Sequence, residues 1–120
     1  MDEQLITILE TFKYPVYRQG SMEESAVYPP TFFTFWNTDS PSHAYYSNEE
    51  YGVTWEFDVN VYSNDPSTTY TLLEQARKLL KQNGWIIPQH GHDVASDEVS
   101  HTGRGFTAYY LEIEEDETNE

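Results

Sequence analysis

Residues 90–105, HGHDVASDEVSHTGRG, gather three of the four histidines with Asp93, Asp97, Glu98 and Arg104. Imidazole nitrogens and carboxylate oxygens are ligands for zinc, and His90 and His92 point the same way if the chain is extended there. His101 or Asp93 would complete a ligand set. The spacing marks neither a general base nor the outer hydrogen bonds that orient metal-bound imidazoles, so no metal site is assigned. Carboxylate pairs at Asp97/Glu98 or Glu56/Asp58 would need unlike surroundings to part their acidities before acting as acid and base. They read as solvated neighbours in a chain with 21 acids. Ser96, His101 and Asp93 lack a nucleophile elbow, and HTGRGF leads into a strand where a phosphate loop leads into a helix. Catalytic, metal and cofactor residues are therefore expected to be none. Gly103 and Gly105 read as turn glycines, allowing positive φ or close backbone approach before the final strand, and Arg104, one of six bases, as the partner of a carboxylate.

The elements that hold this stretch follow from the wider pattern. At 120 residues the chain suits one domain, which buries roughly two thirds of the surface its unfolded chain exposes. Aromatic residues are 16% of the chain and cysteine is absent, which excludes a disulfide framework and thiolate chemistry. A formal charge of −15 repels phosphate backbones and anionic lipid, so direct nucleic-acid binding is not expected. No apolar run approaches a membrane span, and the acidic start MDEQLITILETF is unlike a signal peptide. A soluble, unexported protein is expected.

Leu5, Ile8, Leu9 and Phe12 form one face of a short helix that ends before Pro15. Residues 14–19 read as a short strand, and 31–36, TFFTFW, as another. Residues 37–50 carry turn-forming types and read as an extended hairpin arm or loop. From Val53 to Val61, apolar and polar residues alternate over a long strand. Asp65 and Pro66 then start a helix whose apolar face is Leu72, Leu73, Ala76, Leu79 and Leu80 and whose end is marked by Gly84. WIIP at 85–88 and residues 105–114 read as the last strands, with a polar connection between them. The order α-β-β-β-α-β-β predicts an α+β fold: one domain over 1–113, a mostly antiparallel sheet of four to five strands and two helices on one face. Residues 114–120 read as a disordered acidic tail.

The runs YPPTFFTFWNTDSP, WEFDVNVYSNDP with its leucine-rich helix, and GWIIPQHGHDVASDEVSHTGRGF together resemble the tail-completion, or tail-terminator, proteins of long-tailed phages and prophages. The likeness spans roughly residues 5–113 and rests on element order and wording, since such proteins have no catalytic motif. It implies a non-enzymatic virion protein that assembles as a ring, commonly of six subunits, at the head-proximal end of the tail. Its partners would be itself, the tail tube protein and the head-tail connector. It would sit in the tail or neck of the virion, after assembly in the host cytoplasm. Two segments match its contact-making parts: the arm (Asn37, Asp39, Tyr45, Tyr46, Glu49 and Glu50) and the connection (Asp93, Glu98 and Arg104). Outward tyrosines, among them Tyr62 and Tyr109 or Tyr110, would serve as anchors. The alternative is a cytoplasmic binding or regulatory module with a ferredoxin-like sheet, which predicts a pocket between sheet and helices.

Overall fold

The computed structural model describes residues 2–18, 29–39, 44–46, 49–96 and 98–113; of these, the side chains of 39, 44–46, 49–53 and 113 are not described. Two helices and six strands follow in the order α1 (Asp2–Glu10), β1 (Val16–Arg18), β2 (Thr31–Asp39), β3 (Ala44–Tyr46), β4 (Glu49–Ser63), α2 (Pro66–Gln82), β5 (His92–Val94) and β6 (Thr102–Ile113). The class is the expected α+β. The sheet runs β1-β2-β4-β6-β5, with β3 pairing the start of β4, and every pairing is antiparallel except β1 with β2.

The strict alternation of β4 decides the layering. Phe57, Val59 and Val61 are fully buried and meet Phe33 and Phe35 of β2 and Phe106 and Ala108 of β6. Leu5, Ile8 and Leu9 of α1 and Leu72, Leu73, Ala76 and Leu80 of α2 close this core from one side. Trp85 and Ile87 add to it and leave Ile86, between them, exposed on the other side. Both helices thus cover one face of the sheet, and the opposite face carries the intervening residues of each strand.

Helix α2 begins and ends where its residue types place it. Asp65 caps it, its Oδ1 accepting from the Ser67 amide at 3.1 Å and its Oδ2 from the Thr68 hydroxyl at 3.1 Å. At the other end the Gly84 amide donates to the Lys81 carbonyl and the Trp85 amide to that of Leu80, with Gly84 at φ +93°. This left-handed closure satisfies two terminal carbonyls and turns Trp85 into the core.

Four features differ from the sequence reading. Strand β1 pairs parallel to β2, with Val16 beside Phe33 and Arg18 beside Phe35. The arm contains β3, which pairs with residues 49–52 of β4. WIIP contributes only a single bridge, in which Ile86 and Tyr109 exchange backbone hydrogen bonds of 2.8 and 2.9 Å. The strand expected there lies later, as β5, inside the stretch read as a polar connection. Four strands thus precede α2, unlike the βαββαβ order of a ferredoxin-like fold. The acidic residues 114–120 lie outside the described residues.

Candidate interaction surface

The structure disperses the three clustered histidines. Gly91, at φ +130°, breaks the extended course that would align His90 with His92. The His90 Nδ1 turns toward α2, 3.8 Å from the Glu74 carboxylate, while His92 sits exposed on β5. The His101 Nε2 is 2.8 Å from the Pro29 carbonyl, and its Nδ1 is 2.9 Å from the Ser100 hydroxyl. A carbonyl only accepts, so Nε2 carries the proton, and Ser100 donates to Nδ1 when the ring is neutral. The ring also lies against Phe32, with centroids 6.0 Å apart. No group of three or more His, Cys, Asp or Glu among the described residues is placed to hold a metal ion.

Arg104 holds the end of the same stretch together. Its Nη1 donates to the Asp93 carboxylate at 3.0 Å, its Nη2 to the Gly91 carbonyl at 3.1 Å, and its guanidinium lies 5.3 Å from the centre of the Tyr70 ring on α2. These contacts pin β5 to β6 and to α2. Beside them is an open cleft of about 450 Å³ lined by Tyr70, Asp93, Ser96, His101 and Arg104 among others. The exposed Glu98 belongs to a local turn, its carbonyl accepting from the His101 amide at 3.1 Å. Asp97 lies outside the described residues.

Gly103 and Gly105 are not turn residues: both lie within β6, opposite Tyr62 and Asn60 of β4. A Cβ on Gly103 would come within 2.7 Å of the Tyr62 ring. One on Gly105 would overlap the Asn60 amide and lie 2.8 Å from the Val59 carbonyl. These glycines let the side chains of β4 fold flat across β6, a close approach open only to a residue without a side chain.

The helix-free face is where exposed side chains are fixed. Trp36 is 49% exposed, yet its Nε1 donates to Asp58 Oδ2 at 3.0 Å, and Thr107 donates to Asp58 Oδ1 at 3.0 Å. Thr38 donates to the Glu56 carboxylate at 2.7 Å. Ile86 and Leu111, 59% and 43% exposed, share this face with Tyr109, which pairs with both Glu56 and Ile86. At one end of the face the Phe32 ring stacks on Tyr62 with centroids 5.3 Å apart. Tyr110 instead turns to the helix side and packs on Trp85 at 5.1 Å.

Of the arm residues, Asn37 faces inward, its Oδ1 buried and unpaired among the described residues. Register explains this, since Asn37 lies opposite the core residue Phe57. The side chains of Asp39, Tyr45, Tyr46, Glu49 and Glu50 lie outside the described ones. Sequence reasoning missed Trp36, Ile86 and Leu111. For Trp36 the signal was present, because TFFTFW alternates about Phe33 and Phe35 and leaves Trp36 on the opposite side.

The fold and this surface define an open-faced α+β sandwich, one sheet with helices on a single side. No protein-family model matches the chain, and no curated protein matches it significantly. No helix among the described residues is long and apolar enough to cross a membrane.

Proposed function

We propose that this chain is a non-enzymatic structural protein of a tailed phage or prophage, of the tail-completion type, which caps the head-proximal end of the tail tube and helps join tail to head. The observation that carries the reading is the helix-free sheet face. It combines exposed Trp36, Ile86 and Leu111 with hydrogen bonds that hold Trp36 and Asp58 in place. A fixed, partly apolar surface loses little side-chain freedom on contact and suits protein association. The arm supports the same reading. Strand β4, about 50 Å long at roughly 3.3 Å per residue, matches the 54 Å longest extent of the molecule and begins at Glu49, well ahead of Phe57, the first of its fully buried residues among those described.

A binding module is the second reading, favoured by the cleft beside Arg104. Arg104 is already engaged there by Asp93 and the Gly91 carbonyl, which weakens the cleft as a site for an anionic ligand. Negative-stain imaging of the purified protein, alone and with tail tubes of the phage or prophage that encodes it, tests the choice. Rings, or density capping one tube end, are expected. Particles that remain monomeric and leave both tube ends bare would overturn the proposal.

A further inference from the structure

We infer that the helix-free sheet face binds the cationic side of α2 on a second copy of this chain, so that subunits associate head to tail. The inference rests on the proposed assembly role only in requiring self-association. Charge complementarity supports it. The chain carries 21 acids and 6 bases, so two copies brought together at random repel. Three of the bases have carboxylate partners within the chain: Arg18 with Asp2, Arg77 with Glu74 and Arg104 with Asp93. Lys78 and Lys81 are exposed on the outer side of α2, with no ion-pair partner among the described residues.

The sheet face offers the matching half. Glu56 and Asp58 lie two apart on one side of β4, about 6.6 Å at the rise of a strand. Lys78 and Lys81, three apart on a helix, have Cβ atoms about 5–6 Å apart, so the two pairs are commensurate. Hydrogen bonds from Thr38, Trp36 and Thr107 fix the carboxylates and leave further oxygen lone pairs open. Exposed Trp36 and Leu111 flank them and would cover the lysine stems, with the indole face available to an ammonium group.

Geometry then dictates the mode of assembly. The two surfaces lie on opposite sides of one sheet, so they cannot meet within a chain. A contact between unlike surfaces leaves one of each unsatisfied at the ends, and it propagates until rotation closes a ring or a filament forms.

The chain contains no cysteine, so introduced thiols report without background. The full chain carrying both Thr54→Cys and Gln82→Cys, which stand beside the two charged pairs and leave all four charges in place, treated with a short bismaleimide, should give a ladder of dimer, trimer and higher species on a denaturing gel. Either single variant should stay monomeric on the gel, because its thiol faces a surface of the neighbouring copy that carries none. A double variant that gives no ladder would overturn the inference, whatever the protein does with tubes. Charge reversal gives the second arm, with folding checked by circular dichroism. Lys78→Glu with Lys81→Glu, and separately Glu56→Lys with Asp58→Lys, should each abolish self-association in sedimentation velocity at low salt. Mixing the two should restore it, because each then supplies the surface the other has reversed. Wild type that stays monomeric at low salt, or reversed variants that associate as wild type does, would equally refute it.

Discussion

At the scale of single residues, the ring nitrogens of His101 are already committed, to Pro29 and Ser100, and its face to Phe32. It acts as a structural tie between the start of β6 and the residues before β2. Losing it should lower stability by about 1–2 kcal/mol, the cost of leaving a partly buried partner unsatisfied. His90→Gln and His92→Gln, on exposed side chains, should stay within about 0.5 kcal/mol of wild type. Urea unfolding of the three variants checks this, and equal costs at all three positions would contradict it. The difference was not legible in HGHDVASDEVSHTGRG, where the three look alike. Long-range partners decided it: Pro29 lies 72 residues from His101, and the positive φ of Gly91 separates His90 from His92. The pairing of Arg104 with a carboxylate was legible, because a lone cation among acids has many partners to choose from.

At the scale of elements, legibility followed the strength of local signals. The ends of α2 could be read from Asp65, Pro66 and Gly84 because capping is local chemistry, and β4 from its alternation because one face is buried along most of its length. Strand β5 could not be read, since its three residues, HDV, form a strand only because β6 offers an edge. Strand β1, three residues long, likewise takes its parallel place from the edge that β2 offers. Gly103 and Gly105 were read in part: they lie within β6 and not in a turn before it, but the close approach holds, since each leaves the space that Tyr62 and Asn60 occupy. Gly105→Ala should therefore cost about 2–3 kcal/mol, toward the upper end for overpacking, because the Val59 backbone as well as the Asn60 side chain must yield. Thermal unfolding checks this, and a cost below about 0.5 kcal/mol would mean that β6 shifts freely against β4.

At the scale of the whole molecule, a single sheet with both helices on one side leaves the other face without a second layer among the described residues. Domains are ordinarily built from packed layers, and the exposed Trp36, Ile86 and Leu111 on this face are what supports the proposed contact with protein. The sequence carried the α+β class and the sidedness of β4. It did not carry the path of the sheet, and so did not show which side chains meet on the open face. An acidic protein that associates only through one complementary pair of surfaces avoids indiscriminate aggregation, which suits a part added once, at the end of a tube. Counting bound copies tests this most directly. Purified protein titrated against tail tubes of different lengths, sedimented and quantified, should saturate at a small fixed number of copies per tube regardless of tube length. Binding that grows in proportion to length, or no binding at all, would contradict the account.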